Sequence, residues 1–411
     1  MNTPTMKACR GCTSSRLKLF LPMGPHPLAN GFLKKEQLAV AEPKFPLDTH
    51  VCLDCGLIQV NDQIPAEFFR NYVYIPSSSD TMHGHFRDYA KQVVDTCIKS
   101  PQSLVVDIGC NDGLFLGFVK DLGVRTLGID PATNIIQMAR EKGLEVVNEY
   151  FVPSLAKKVR EKYGPASVIV TNNTYHHIGD LDTFTKGVVE LLDDSGVFIV
   201  EVPHAQEVVA LSQFDGIYHE HVSQFTAKAF VDHLRRFGLE VFQILSLGVH
   251  GGSMRVFSRK TPNRPALAPA VAAWIAAEQG KGLFEAATYD AFYARVQQIK
   301  GELLPLLKKL KGEGKRIVGY GASARGNTLL NYFGIGPDIL DYMVDRNPLK
   351  QGLYTPGMHI PVYGAEKLLT DKPDYMLLLA WNFADEVIKQ QAEYQRLGGK
   401  FIIPIPTPRI V

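Results

Sequence analysis

Four cysteines have to meet before the first seventy residues of this chain can settle. They stand as two tight pairs, Cys9-x-x-Cys12 and Cys52-x-x-Cys55. Each pair sets two thiols on one small turn, and two such turns make a tetrahedral four-sulfur cage, the preferred geometry of a structural zinc. Two disulfides or a redox pair are the competing readings. The rest of the chain reads as a cytosolic enzyme, which favours the metal. A zinc closed by four thiolates holds a fold and does no chemistry, so a stapled N-terminal module attached to something larger is expected. Cys97 and Cys110 lie outside the pattern, and Cys97 falls in an apolar helical stretch as a core thiol.

The something larger is long enough for two or three domains, at 411 residues. Lys and Arg (44) nearly balance Asp and Glu (42), so no basic excess asks for nucleic acid or an anionic membrane. No apolar run is long enough to span a bilayer, and Met1 to Arg10 lacks the apolar region of a secretory leader. A cytoplasmic location is therefore expected.

The pattern along the chain is α/β. After the Cys-paired, Pro-rich start comes a helical stretch, FRDYAKQVVDTCIKS, then SLVVDIG, an apolar run ending in glycine that reads as a buried strand. TLGID, SVIVTNN and GVFIVEVP are further strands, with helices between them; TAKAFVDHLRRFG is a helix with Thr226 as N-cap and Gly238 just past its end. EVFQILSL and SMRVFSRK, split by HGG, form a hairpin that adds an antiparallel edge to a doubly wound parallel sheet. A linker, KTPNRPALAP, leads to two helical segments. A second alternating unit follows, with strands RIVGYGA, ILDYMVD, YMLLLAW and FIIPIP. The expected divisions are 1–72, 73–262, a helical linker at 263–311, and 312–411.

The first glycine loop, VVDIGCNDG, carries Asp107, Gly109 and Gly113 at a strand-to-helix turn. Small residues there let backbone approach a ligand. One strand later LGID ends on Asp130, placed to accept both hydroxyls of a ribose. A dinucleotide and S-adenosylmethionine both suit this frame. Asn111 occupies the place of the second glycine of the dinucleotide fingerprint, and Asp112 follows. A pyrophosphate would face an acidic turn, whereas a sulfonium would not be repelled, so S-adenosylmethionine is favoured. Asn173, His176 and His177 fall at the carboxyl end of the next strand, where ligands sit in open α/β sheets; His177 is the stronger candidate of the two histidines.

Tyr218, His219, Glu220 and His221 follow the next strand. A histidine near neutrality can take a proton from a carbon acidified by an adjacent carbonyl, a neighbouring carboxylate can raise its basicity, and a tyrosine can hydrogen-bond the developing enolate. General base catalysis ranks first, a metal cluster of His219 and His221 with His204 or His250 second, and a polar helix cap third. His250 in the hairpin turn either touches substrate or packs. The second glycine loop, GYGASARG, places Gly319, Gly321 and Gly326 at a helix start with Arg325, Asn327, Thr328 and Asn331, a phosphate cradle if it is not merely structural. Asp345 ends the next strand, and Trp381 and Asn382 end a later one, where an indole can stack on a base or sugar. Two nucleotide-type clefts suggest a nucleotide-bearing substrate beside an adenosyl cofactor. The competing classes are a methyltransferase of the same architecture acting on another carbon acid, an NAD-dependent oxidoreductase using the second loop, and a zinc-ribbon scaffold without turnover.

The two CxxC pairs, DIGCNDG, the YHEH stretch, VHGGSMRV, GYGASARGNTLLNYFG, QGLYTPGMHIPV and LAWNF, in that order, make nearly the whole chain resemble the sugar C-methyltransferases of nucleotide-linked deoxysugars. The resemblance implies a zinc-binding N-terminal domain, a central class I S-adenosylmethionine-dependent methyltransferase domain and a C-terminal Rossmann-like domain that binds the nucleotide sugar. It implies His221 as the base that enolises a thymidine-diphospho-4-keto-6-deoxyhexose at C3, with Tyr218 and Glu220 beside it, His177 as a second active-site histidine and Tyr72 as a lid near the methyl donor. Two departures stand out: His219 replaces an acidic residue, and Arg325 a frequent lysine.

Overall fold

The computed structural model describes residues 6–61, 64–263 and 266–411.

The central sheet has seven strands in the order Leu239–Leu247, Ser253–Lys260, Leu192–Pro203, Ala166–Asn172, Leu104–Ile108, Arg125–Ile129 and Val146–Val147. Ser253–Lys260 runs antiparallel to both neighbours, and the other pairings are parallel. The continuous apolar runs are explained by burial on both faces: all five residues of Leu104–Ile108 are buried. The strand order reverses between Leu104–Ile108 and Ala166–Asn172, and a ligand crevice opens at the carboxyl ends of strands at such a point. This is the class I methyltransferase arrangement. Thr226 caps its helix as expected, accepting from the Ala229 amide, and Gly238 follows at φ +72°.

The N-terminal sheet is built from Leu17–Leu21, Thr49–Cys52 and Ile58–Gln59, and its fourth strand is Ser223–Gln224 from far along the chain. Arg10, between the first two cysteines, fastens this joint: it donates to the Val222 carbonyl at 2.8 Å, Ser223 Oγ at 3.2 Å and the Val60 carbonyl at 2.6 Å. The residue after His221 is thus tied to a cysteine turn.

The C-terminal sheet has six strands, Val362–Tyr363, Met343–Val344, Ile317–Tyr320, Tyr375–Leu378, Lys400–Ile403 and Arg409–Ile410, parallel except the last. ILDYMVD, expected as a whole strand, pairs only through Met343 and Val344. YMLLLAW stops at Leu378, because Trp381 opens a helical turn. The expected helical linker is Pro269–Gly280 and Ala286–Gly312. The second helix is a core element rather than a spacer: Tyr289, Phe292, Val296, Ile299, Leu303, Leu307 and Leu310 recur at helical spacing and are all buried, in one core with Phe20 and Leu21 of the N-terminal sheet and with the C-terminal sheet. Among the described residues no helix is long and apolar enough to cross a membrane.

Candidate active site

Cys9, Cys12, Cys52 and Cys55 converge as the spacing predicts. Sγ atoms approach at 3.6 Å (Cys9–Cys55) and 3.5 Å (Cys12–Cys52). Zinc–sulfur bonds of ~2.3 Å put tetrahedral sulfurs about 3.8 Å apart, so four thiolates at these distances fit structural zinc.

A cavity of about 680 Å³ opens at the switch point of the central sheet and is walled by all three parts of the chain. On the cofactor side lie Tyr72, Asp107, Gly109, Asn111, Asp130 and Asn173. Gly109 sits at φ +81°, and a Cβ there would lie 2.0 Å from Thr174 Oγ1, so only glycine fits. Asp130 accepts from the amides of Asn111 (2.9 Å) and Ala132 (2.8 Å), which fixes its carboxylate at the crevice edge. Asp107 is buried, its Oδ1 has no protein partner, and burial followed by the nearby Asp130 pushes its acid well above the usual range. A buried acid group without a protein partner in the cavity wall suits a ligand that donates hydrogen bonds or carries positive charge, and the set fits S-adenosylmethionine. Gly113 is not in the wall. It is the left-handed N-cap of the helix Leu114–Asp121, and a Cβ there would strike Leu144 at 2.2 Å.

A strap crosses this side. Asn134 brackets Tyr72, accepting from its amide at 3.0 Å and donating to its carbonyl at 2.8 Å. Asn347, from the C-terminal sheet's side, donates to the Val73 carbonyl at 2.7 Å, and Asn111 donates to the Tyr74 carbonyl at 3.1 Å.

The opposite wall carries Tyr218, His221, His176, His177 and His250. The Gly216 carbonyl can only accept, so His221 Nδ1 carries the proton and donates to it at 2.9 Å. Nε2 then holds the lone pair, and Tyr218 donates its hydroxyl to it at 2.5 Å. Burial, then repulsion from His177, lowers the His221 pKa well below the ordinary value, so the ring is neutral at pH 7. Burial likewise lowers His177 to about 3 and His250 to about 4.

Glu220 does not touch His221. Its oxygens accept from Asn30 Nδ2 (2.9 and 2.8 Å) and from the Tyr72 hydroxyl (3.0 Å). The expectation that a neighbouring carboxylate orients the histidine is corrected: the Gly216 carbonyl fixes the tautomer, while Glu220 ties the strap to the YHEH loop. Burial pushes its acid up to about 7. His219 points the other way and donates to the Phe45 carbonyl at 3.0 Å, and His204 is bonded to Glu278 at 2.9 Å. The second-ranked reading, a metal cluster of His219 and His221 with His204 or His250, is not formed among the described residues; His176, His177 and His221 gather instead.

The C-terminal candidates divide. Arg325 and Asn382 line the cavity, but Gly321, Asn327, Asp345 and Trp381 do not. Asn327 is buried against the Ala29 carbonyl at 2.7 Å, Asp345 accepts the Asn347 amide at 2.8 Å, and Gly321, at φ +87°, packs on Ala380. Arg325 is corrected as a free phosphate cradle. Its donors go to Asp215 (Nη2 at 2.8 Å, Nε at 3.2 Å) and Gln213 (3.1 Å), and the guanidinium stands 4.9 Å over the Trp381 ring. Trp381 Nε1 donates to the same Asp215 at 2.7 Å. Arg325 and Trp381 thus clamp the loop before the YHEH stretch. Motif reading missed Asn30, Lys350 and Phe383, all in the wall; Lys350 donates to the Ala322 carbonyl at 2.8 Å and lies 3.6 Å from Asp345.

Comparison with known proteins agrees with this geometry. Residues 9–69 match a family described as a putative zinc binding domain, 82–244 a methyltransferase domain, and 248–406 a C-methyltransferase C-terminal domain. The C-methyltransferase NovU of Streptomyces niveus is 34% identical over 98% of this chain and 96% of its own. The mitochondrial ubiquinone biosynthesis O-methyltransferase of Homo sapiens is 30% identical, over 26% of this chain and 31% of its own. A solved S-adenosylmethionine-dependent methyltransferase of Anabaena variabilis aligns with a TM-score of 0.35 at 15% identity, covering 43% of this chain and 84% of that one. With end-to-end identity to NovU, a four-cysteine module and an adenosyl crevice, this chain belongs to the family of zinc-domain-bearing, S-adenosylmethionine-dependent C-methyltransferases.

Proposed function

We propose that the protein methylates C3 of a nucleotide-linked 4-keto-6-deoxyhexose, of the thymidine-diphosphate type, with His221 as general base. The observation that carries this reading is the fixed tautomer of His221. A neutral ring with Nδ1–H on the Gly216 carbonyl presents Nε2 to the cavity wall as an acceptor. A C3 proton is acidified by the C4 ketone, and Nε2 is the atom to take it. Tyr218 gives up its hydrogen bond to Nε2 and donates to the enolate oxygen instead, with His177 as the alternative donor. Asp107, Asp130, Asn111, Asn173 and Tyr72 would hold S-adenosylmethionine, which when bound would supply an electrophilic methyl group and leave as the neutral thioether. Holding both reactants in one cavity would make the carbon–methyl encounter effectively intramolecular.

The divisions 1–72, 73–262, 263–311 and 312–411 serve this reading as zinc module, cofactor domain, bracing helices and nucleotide-sugar domain. Of the C-terminal candidates, Asn382 faces the cavity beside Lys350, and His250 meets the sugar end from the hairpin turn. The reading makes the enzyme a cytoplasmic catalyst of deoxysugar biosynthesis that acts on a small molecule and needs no nucleic acid or membrane.

The test is incubation with the keto sugar nucleotide in deuterated water, followed by mass spectrometry. Exchange at C3 without the methyl donor, and a carbon-bound methyl with it, are expected. His221→Ala should lower both by roughly 10²–10⁴-fold while calorimetry still finds cofactor binding. Loss of cofactor binding in that variant would make His221 structural. No exchange by the wild type would send the search to other carbon acids.

A further inference from the structure

Three imidazoles meet at one wall of the cavity. His176 and His177 come from the turn after Ala166–Asn172, and His221 from the catalytic loop. Ring centroids lie 4.4 Å apart for His176–His177, 4.2 Å for His176–His221 and 5.0 Å for His177–His221. One ring nitrogen from each lies within 4.8 Å of the other two. His176 is 1% exposed, and neither of its nitrogens has a protein partner. His233, also buried, is by contrast bonded through both nitrogens, to Thr185 at 2.9 Å and to the Gly11 carbonyl at 3.3 Å. A buried polar atom without a partner costs roughly 1–3 kcal/mol, so His176 needs a ligand to be at ease.

The chemistry of the cluster says which ligand. Burial lowers the pKa of all three rings, so their nitrogens are neutral and ready to coordinate. His221 sends Nδ1–H to a backbone carbonyl, the outer contact that metal-bound histidines make, and this leaves Nε2 facing the cluster. The Tyr218 hydroxyl beside Nε2 offers an oxygen. Glu220 is turned away to Asn30 and Tyr72, and among the described residues no carboxylate joins the cluster. Three imidazoles without a carboxylate suit zinc, cobalt or nickel and not the oxygen-seeking magnesium or calcium. Metal–nitrogen bonds of ~2.1 Å put coordinated nitrogens about 3.4 Å apart, which side-chain rotation in a half-open cavity can reach.

We propose that His176, His177 and His221 form a second metal site, separate from the four thiolates, that takes an exchangeable borderline divalent cation. The cation occupies the Nε2 lone pair that the reading above gives to proton abstraction. On that reading, metal at this site switches the enzyme off, and its removal switches the enzyme on.

The test is a Co²⁺ titration, followed by visible absorption, of the full chain carrying one equivalent of zinc, which the four thiolates take, and dialysed free of any further metal. Cobalt held by imidazoles gives weak ligand-field bands, whereas cobalt in thiolates adds intense sulfur-to-metal charge transfer, so the two sites are told apart. One equivalent of the weak-band species is expected, and His176→Ala and His177→Ala should each weaken it by roughly tenfold or more. Cofactor binding by calorimetry shows that the variants are folded; His176→Asn replaces the alanine variant if it fails that check. Absence of the weak bands, or equal affinity in the variants, overturns the site. Methyl transfer should fall in step with the bands and return with a chelator; turnover unchanged or raised at saturation overturns the switch. An enzyme inactive before cobalt is added counts against the base reading, not against the metal site.

Discussion

Glu220 is a carboxylic acid folded into a place that does not welcome its charge. Burial lifts its pKa from 4.5 to about 7, against the pull of Asn30 and Tyr72. The folded chain therefore binds a proton that the unfolded chain has lost between these values, and stability falls as pH rises through that window. The cost is absent below pH 4.5 and complete above pH 7, where the shift amounts to about 3 kcal/mol. Glu220→Gln keeps an acceptor for Tyr72 and should flatten this decline, as denaturant melts of both proteins from pH 4.5 to 8 will show. A parallel pH slope in the variant would mean that other groups cause it. Asn30 had no place in a sequence reading, because nothing near it in the chain announces that it will meet a residue 190 positions away. Asp107, Gly109 and Asp130 were legible because strand, glycine turn and next strand are a local pattern whose geometry follows from the chain alone.

The clamp of Arg325 and Trp381 on Asp215 works between elements. It joins the helix Ala324–Phe333 of the C-terminal sheet to the turn Phe214–Gly216, whose last carbonyl sets the tautomer of His221. GYGASARG looks like a phosphate cradle in sequence, since glycines and an arginine at a helix start are what such a cradle needs. The anion it receives is Asp215, 110 residues earlier, and periodicity carries no information about a pairing at that separation. Asp215→Ala leaves a largely buried guanidinium without its partner and should cost about 3–5 kcal/mol, read by chemical denaturation; a loss below 1 kcal/mol would show the clamp to be ornamental. The strap is held more lightly. Asn134→Ala removes both bonds to Tyr72 and should weaken S-adenosylmethionine binding by roughly fivefold, measured by calorimetry. Short strands such as Val146–Val147 and Val362–Tyr363 escaped the pattern, because two paired residues leave no alternation to detect.

At the scale of the whole molecule, the cysteine module, the central sheet and the C-terminal sheet each contribute a wall to one cavity. The order of motifs was enough to foresee three parts meeting over one substrate, but not the contacts that join them, such as Asn327 on the Ala29 carbonyl and Asn347 on the Val73 carbonyl, made hundreds of residues apart. Stripping the structural metal, or replacing Cys52 by serine, should leave the adenosyl cradle standing, since Asp107 and Asp130 belong to the central sheet. Donor affinity should change by only a few-fold while turnover falls by roughly 10²-fold from displacement of the catalytic loop; equal loss of both would mean that the module supports the whole fold. The Arg10 bridge to Val222 and Ser223 makes this dependence specific. It also sets a rule of inheritance. A chimaera that borrows its cysteine module from another family member inherits that member's alignment of the loop carrying His221, so module and loop must be exchanged together or the hybrid should bind its donor and leave the methyl group untransferred.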